Sequence, residues 1–468
     1  MGAIFQLTLA DNLRSLRFQL SLVILLLFFI GNGLVYTWKG ERVAIENEQV
    51  AAAGEKVYAS VETVSDAVGK RYRILSYQTG TEFIAEAGSD WFPYALNLTP
   101  RTQGWQGFGS SRGTNWWLRR FEVVDWVFIV RYVISFLAIA LTYNAISGER
   151  ESGTLRLLLA NPLPRAHVLV AKYLAHLVSL VTAVAVGALV SLLMLSLSGS
   201  VALGGRVALL FVLFLAMTAV YASIFLLLGL AASAATGRSS TSLVALILVW
   251  ALLIVVIPQT SRLIAVTTVE TMGRDWEVTG KLVDQANEEL ERAGVALRPL
   301  ERARTDGFDL EKRYARRYRE LDAATIQVRR QAVRARLDQY RRARLVNSIS
   351  PGFAFQYAIE GITANGIQRF EHFQPQAWAY LETLREFLVD RDQVDRDSPH
   401  IHLFPQYMSK APLDYRQMPR FVEDKLTLAE SVSQARGPMI TLAVEALAAL
   451  WLALMAFHRA RIAEEGDG

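Results

Sequence analysis

Cysteine is absent from this chain of 468 residues. A disulfide framework, a thiolate metal site and a cysteine nucleophile are therefore excluded. Charge is also sparse, because 20% of the residues are charged while 52% are hydrophobic, a balance too apolar for an ordinary soluble enzyme. The 49 basic residues exceed the 44 acidic residues by only five, so the total charge does not indicate a nucleic-acid partner.

Several catalytic signatures are missing as well. The sequence contains no G-x-x-x-x-G-K-[ST] motif, so it predicts no phosphate-binding loop, and ATP hydrolysis would need another chain. No G-x-S-x-G in strand context and no H-E-x-x-H occurs, and this makes a polytopic membrane enzyme the least favoured interpretation. His400 and His402, with His372 earlier, are weak evidence for a metal because a site needs three or four ligands. We interpret them as exposed loop histidines and predict no metal site.

The apolar residues are gathered into six runs long enough to cross a membrane. These predicted spans are residues 18–36, 124–143, 169–197, 207–235, 242–258 and 439–457. The first run is longer than a signal-peptide core and has no small-residue cleavage site after it, so we expect a retained signal anchor. The sequence predicts a predominantly α membrane protein with six transmembrane helices and two extracytoplasmic inserts, the second largely helical.

Basic residues in the short loops predict the orientation. Arg150, Arg156 and Arg165 lie in one loop and Arg238 in another, whereas Arg206 alone marks the loop between the third and fourth runs. We therefore expect both termini in the cytoplasm and the chain in the bacterial inner membrane. The predicted division is 1–36 for the cytoplasmic N-terminus and first span, 37–122 for the first insert, 123–258 for spans two to five, 259–438 for the second insert, and 439–468 for the sixth span and cytoplasmic tail.

Two ionisable residues fall inside predicted spans, where charge is costly and often functional. Arg131 lies five residues past Trp126, and Glu445 lies six residues past Met439. A rise of about 1.5 Å per residue places both roughly 7 to 9 Å below the outer boundary. One hypothesis is an ion pair that acts as a structural clasp or a gate. The alternative is that Arg131 extends outward while Glu445 is protonated or faces a wet cavity.

The second insert contains a strongly basic stretch. Residues 311–344 include 12 Lys plus Arg and 4 Asp plus Glu, a net charge of +8. Small and apolar residues recur there at spacings of three and four, which predicts a helix with a thin coiled-coil-like seam. The stretch is interpreted either as a solvated helical hairpin neutralised by acidic neighbours, or as a surface for lipid headgroups, an anionic cargo or a protein partner.

The most specific stretch follows the second span. Residues 147–162 read SGERESGTLRLLLANP. Ser147 could cap a helix whose first turn carries Glu149 and Glu151, which are favourable at the positive end of the helix dipole. Leu155, Leu158 and Leu159 would form one apolar face. The pattern predicts an amphipathic helix over residues 147–159 along the cytoplasmic surface, and by physics alone this helix could simply rest on lipid.

The pattern S-x-E-R-E-x-G-T-L-x-L-L-L-x-x-P-x-x-R, which opens at Ser147, resembles the coupling-helix signature of type-2 ABC-transporter permeases. In that family this helix docks into a groove of a separate ATPase subunit. The resemblance implies an ATPase-coupling role for the whole motif, with one residue, Arg165, in the elbow that follows. The residues assigned to the ATPase contact are Glu149, Arg150, Glu151, Gly153, Thr154 and Leu155.

The layout also resembles a branch of that family with large outer inserts, often labelled as involved in multi-copper enzyme maturation. The copper label is not supported by the residues, since cysteine is absent and there are only 8 methionines. The resemblance implies an exporter permease subunit with no cofactor of its own, whose partners are an ATPase dimer that binds ATP and Mg, a second permease copy or sister permease, membrane lipid, and an envelope or periplasmic partner. The alternative is a mechanotransmission complex that acts on an envelope partner without passing cargo.

Overall fold

The computed structural model of the chain describes residues 1–77, 79–86, 94–101, 124–155, 164–259 and 307–460, together with scattered positions between 278 and 305. Within these residues six helices are long and apolar enough to cross a membrane, and we number them as spans one to six. They are Leu16–Ala59, Trp126–Glu151, Arg165–Leu197, Gly205–Ala235, Ser239–Gln259 and Leu428–Arg459. The predicted mainly helical membrane fold with six spans is confirmed.

Six crossings place both ends of the described chain on one side of the spans. We call this the loop side, and the side that carries the two long inserts the insert side. Two of the crossing helices are longer than their apolar runs. Span one continues to Ala59 without a break, so the first part of the insert at 37–122 is a helical extension of the span. Span six begins at Leu428, where Thr427 and Glu430 form a capping box.

A short helix precedes the first span. This helix, α1, covers Gly2–Arg14 and ends at Ser15, whose side chain accepts a hydrogen bond from the Phe18 backbone N–H at the start of span one. The Asn12 side-chain amide lies 2.9 Å from Nδ1 of His176 on span three. The N-terminal helix is thereby held against the loop-side end of the spans.

Two glycines allow the spans to approach closely. A Cβ atom added at Gly187 would lie 2.3 Å from the ring of Phe29, and one added at Gly229 would lie 1.8 Å from the hydroxyl of Thr142. Spans one and three therefore meet at the first glycine, and spans two and four meet at the second. Small residues at such crossings are the usual means of packing helices in lipid.

The described parts of the two inserts fold together. The first insert supplies α2, Val64–Gly69, and an antiparallel pair of strands, β1 (Tyr72–Leu75) and β2 (Ala95–Leu98), in which Tyr72 pairs with Leu98. The second insert supplies α3, Asp309–Asn347, α4, Pro351–Thr363, and α5, Ile367–Val394. Short turns and extended chain lead from α5 to span six. Residues of α2, β1, β2, α3 and α5 share one apolar core.

Helix α4 occupies a different place from the rest of the insert. All but one of its thirteen residues are buried, and Phe355 packs against Tyr221 and Phe214 of span four. Ala354, Ala358 and Ile362 belong to the same apolar core as the spans. Although the sequence assigns residues 259–438 to an external insert, α4 lies between the insert-side ends of the spans.

Candidate functional site

The motif after span two forms a short helix followed by a sharp bend. The helix covers Ser147–Glu151, and Gly153 has a φ of +73°, a conformation that glycine adopts without strain. Helical residues resume at Thr154 and Leu155, and residues 156–163 lie outside the described chain. The continuous helix expected over 147–159 is therefore interrupted at Gly153, and the predicted roles of Leu158 and Leu159 lie outside the described residues.

Ser147 does not cap this helix, contrary to the expectation from sequence. The N-cap residue is Ile146, and it has no capping side chain. The Ser147 hydroxyl is buried and lies 3.2 Å from the Ser233 hydroxyl and 3.0 Å from the Ser239 hydroxyl. The Ser147 backbone N–H donates to Ser233 Oγ at 3.0 Å. The serine thus joins the motif to the end of span four and the start of span five.

Glu149 attaches the motif to span three. Its Oε1 atom lies 2.6 Å from Nζ of Lys172, which also donates to the Ala145 carbonyl at 3.0 Å. The Lys172 side chain is nearly buried, and that of Glu149 is 29% exposed. A charge-assisted hydrogen bond of this length in a poorly hydrated place is stronger than a surface ion pair.

Arg150 attaches the motif to span four. Its guanidinium donates to the carbonyl oxygens of Ala234 and Thr236, at 3.0 and 2.8 Å. These carbonyls lie where span four ends, and the last carbonyls of a helix have no partner within the helix. A cation at this end is also favoured by the helix dipole.

Glu151 attaches the motif to span five. Its carboxylate accepts from the Ser239 backbone N–H at 2.7 Å and from the Ser239 hydroxyl at 2.9 Å. Ser239 is the first residue of that helix, whose free N–H groups favour an anion. The three consecutive charges of the motif therefore hold it to three different spans, a set of contacts that the sequence alone did not reveal.

The bend is the outward-facing part of the motif. Glu151, Ser152, Gly153 and Thr154 are exposed, whereas Leu155 is 2% exposed. In the predicted elbow, the Arg165 guanidinium donates to the His458 carbonyl at the end of span six at 3.0 Å. We call residues 151–154 the exposed tip. Of the residues assigned to an ATPase contact, Glu151, Gly153 and Thr154 lie in this tip, while Glu149 and Arg150 are internal attachments. Contact of the tip with another polypeptide remains a prediction.

The insert-side end of span two carries the predicted intramembrane arginine. Arg131 lies in a π-helical stretch, Ile129–Ile134, and is 7% exposed. Its guanidinium donates to Gln356 Oε1 of α4 at 2.7 Å and lies 3.6 Å from the centre of the Phe353 ring. Glu445 has a buried Oε2 atom without a hydrogen-bond partner. The expected pair of Arg131 with Glu445 is not formed, because α4 supplies a nearer acceptor that the sequence placed outside the membrane.

Further polar contacts extend from the Arg131 partner Gln356 into the second insert. Gln356 Nε2 donates to Glu360 Oε1 at 2.7 Å, and Glu360 Oε2 lies 3.3 Å from a guanidinium nitrogen of Arg344 on α3. Glu360 is fully buried. A chain of four polar side chains therefore runs from span two through α4 to the base of the long helix α3. We refer to Arg131, Gln356, Glu360 and Arg344 as the insert-side chain.

Comparison with known proteins identifies a family that matches nearly the whole chain. A family model described as ABC-2 family transporter protein matches residues 3–461. The chain belongs to the ABC-2 transporter family. Over 59 residues it is also 41% identical to each of two proteins named probable ABC transporter permease protein NosY, from Stutzerimonas stutzeri and Pseudomonas aeruginosa. That stretch covers 13% of this chain and 21% and 22% of the two relatives, so the chain spans about a fifth of their length.

Family membership confirms the resemblance to type-2 ABC permeases on which the motif at 147–165 was interpreted.

The second insert of this ABC-2 chain also contains a cluster of polar side chains that the interpretation of the motif does not involve. In the insert, Nδ1 atoms of His400 and His402 lie 3.1 and 3.3 Å from the buried Oδ2 of Asp392. Burial alone would raise the pKa of Asp392, but hydrogen bonds from His402, Ser398, Ser409 and His400 lower it to about 2. His400 is exposed and both histidines lie in a loop, as expected, and they are also partners of one buried carboxylate.

Proposed function

We propose that this chain is the permease subunit of an ABC exporter in the inner membrane. A separate pair of ATPase subunits binds ATP and Mg and docks on the exposed tip 151–154 from the cytoplasm. A second copy of the chain, or a sister permease, completes the transport pathway. The observation that carries this proposal is the attachment of one short motif to three spans while its tip faces outward.

These attachments explain how force on the tip would reach the membrane. Glu149, Arg150 and Glu151 connect the motif to spans three, four and five, and the motif itself ends span two. Displacement of the tip by a closing ATPase pair would therefore move the loop-side ends of four spans together. Such motion is a rigid-body or shear change, and it requires no covalent chemistry in this chain.

A second candidate function is mechanotransmission to an envelope partner without passage of cargo. The insert-side chain supports it, because Arg131 on span two is linked through α4 to Arg344 on α3. Helix α3 has 39 residues and is therefore about 58 Å long. A tilt of span two would be conveyed to this helix.

The absence of native cysteine makes a single-cysteine test clean. Thr154→Cys, carrying a short photo-crosslinker, is expected to capture a chain that contains a phosphate-binding loop and hydrolyses ATP. The matched control is Gln6→Cys, which is also exposed on the loop side but lies on α1. Both cysteines should react with a membrane-impermeant thiol reagent from the cytoplasmic face only. Reaction of Thr154→Cys from the opposite face, or equal capture by Gln6→Cys, contradicts the proposal.

The two candidate functions differ in what happens when the insert-side chain is cut. Spin labels at Arg313→Cys on α3 and Leu203→Cys on the insert-side loop after span three would report the distance between these exposed sites with and without ATP. Under mechanotransmission, Gln356→Leu abolishes the ATP-dependent change in this distance while ATP hydrolysis continues. If the change persists in Gln356→Leu, the mechanical route through α4 is wrong and export is the better description.

A further inference from the structure

The base of α3 reaches into the membrane. The Ser350 hydroxyl, between α3 and α4, donates to the Leu253 carbonyl at 2.6 Å. Leu253 belongs to a π-helical stretch of span five and lies six residues before Gln259, the last described residue of that span. Six residues correspond to about 9 Å along a helix. The turn at Ser350 therefore lies within the leaflet on the insert side, and it satisfies a polar group of the span at that depth.

Two large apolar side chains at the base of α3 are exposed. Leu345 is 74% exposed and Ile349 is 63% exposed. Both lie within five residues of Ser350, near the depth of the insert-side leaflet. Exposure of this size is unfavourable in water and favourable in lipid, so these side chains are suited to contact acyl chains.

A free arginine lies directly above these side chains. Arg342 precedes Leu345 by three residues in α3, so the two lie within about 60° of each other on one helical face, and Ile349 follows in the turn after the helix. Arg342 is exposed, and no acceptor for it occurs among the residues that the structure describes. Its neighbour Arg341 is already bound to Asp338 and Glu371.

The height of Arg342 matches the headgroup layer. Arg342 lies eight residues before Ser350, about 12 Å counted through α3 and the turn at residues 348–350, and therefore about 3 Å beyond the last described residue of span five. The phosphate groups of a bilayer begin at the edge of its hydrocarbon core, which is about 30 Å thick. A guanidinium at that height can bind a phosphate with two parallel hydrogen bonds.

We propose that Arg342, Leu345 and Ile349 form a binding site for one anionic phospholipid of the insert-side leaflet. The guanidinium binds the headgroup phosphate, while the two apolar side chains contact the upper part of the acyl chains. Anionic headgroups are preferred because the surrounding stretch 311–344 has a net charge of +8. The bound lipid sets the height of the base of α3, next to the point where Arg344 connects α3 to α4.

The test uses the full chain in nanodiscs, with a small fluorophore on Val346→Cys near the site. Phosphatidylglycerol and phosphatidylcholine with a nitroxide high on the acyl chain serve as quenchers. The expected result is preferential quenching by phosphatidylglycerol, reduced roughly fivefold in its apparent affinity by Arg342→Gln. Leu345→Ser with Ile349→Ser should weaken quenching by both lipids.

The matched control is Arg313→Gln with Arg316→Gln, which removes two exposed charges from the far end of α3, about 39 to 44 Å away. This variant should keep the preference for phosphatidylglycerol. Equal quenching by the two lipids in the unmodified chain, or equal loss in the control, overturns the site. Competition by inorganic phosphate beyond that of chloride at equal ionic strength would identify a soluble anion as the ligand and also overturn the lipid assignment.

Discussion

The two ends of span two hold polar residues in different ways. At the loop side, three consecutive charges contact backbone groups and side chains at the ends of three neighbouring spans. At the insert side, Arg131 begins a chain of side chains that is closed to water and runs into α4 and α3. The first arrangement, the contacts of Glu149, Arg150 and Glu151, is partly hydrated and lies next to the exposed tip, and we call it the loop-side joint. The second, the insert-side chain, is buried, and we call it the buried link.

This difference predicts unequal costs of disruption. Water can replace a lost partner at the loop-side joint, whereas a buried charge that loses its partner at the insert side has no substitute. Span two is attached at both ends, so the same helix can carry a displacement from the joint to the link. Comparing variants at the two ends therefore tests both stability and coupling.

The largest effect is expected at the buried link. Glu360→Leu leaves Arg344 nearly buried without its carboxylate, which should destabilise the fold by about 3 to 5 kcal/mol. Thermal unfolding in detergent measures this loss of stability. Adding Arg344→Leu should recover part of the loss, and Glu320→Leu, at an exposed position of α3, should have little effect. A loss no larger than that of the control would show that the link is not a buried ion pair.

A smaller effect is expected at the joint. Lys172→Met removes the cation bound to Glu149 and should cost about 1.5 kcal/mol, because the carboxylate is partly hydrated. The rate of ATP-dependent transport should fall by a larger factor than the loss of folded protein accounts for. The exposed pair Arg317 and Glu320 is the matched control, and its removal should change stability by less than about 1 kcal/mol. Exchange of the two charges, Glu149→Lys with Lys172→Glu, should restore part of the loss.

A local effect is expected where the joint meets span five. Glu151→Ala removes the acceptor for the Ser239 N–H and hydroxyl, so the first turn of that span should exchange its amide hydrogens severalfold faster. Mass spectrometry of residues 239–243 measures this change. Ser152→Ala, the neighbouring exposed position, is the control. Unchanged exchange in Glu151→Ala would mean that this contact does not hold the span.

The smallest effect concerns a part of the insert away from both ends. The pKa of Asp392 is lowered to about 2, so its ionised form stabilises the fold above the ordinary pKa of about 4. This contribution, about 1 kcal/mol after allowance for hydration, is lost as the pH falls from 4 to 2. Asp392→Asn should flatten the dependence of unfolding on pH in this window, whereas the exposed Asp397→Asn should not.

Much of the fold followed from local pattern. Six apolar runs predicted six spans, since length and hydropathy alone decide whether a helix can cross a bilayer. The motif at 147–155 was found because its residues are consecutive. The bend at Gly153 was missed, although a glycine inside a predicted helix is a signal that could have indicated it.

Other features could not be found in this way. Gln356 and Glu360 are 225 or more residues from Arg131, and nothing in their sequence spacing indicates a contact. Ser233, Ser239, Ala234 and Thr236 become partners of the motif only because spans four and five end beside it. The Arg131 to Glu445 pair was inferred from depth, but equal depth does not determine which helix faces which.

The sequence by itself determined the number of spans, the placement of both long inserts on the same side of the spans, and the position of the acidic motif after span two. These features depend on the transfer of consecutive residues between water and lipid, which is a local property. Only the tertiary structure decided that α4 lies between the spans, that the charges of the motif bind helix ends, and that Arg131 is linked to α3. Those contacts depend on which helix faces are brought together, and this is a property of the whole packed chain.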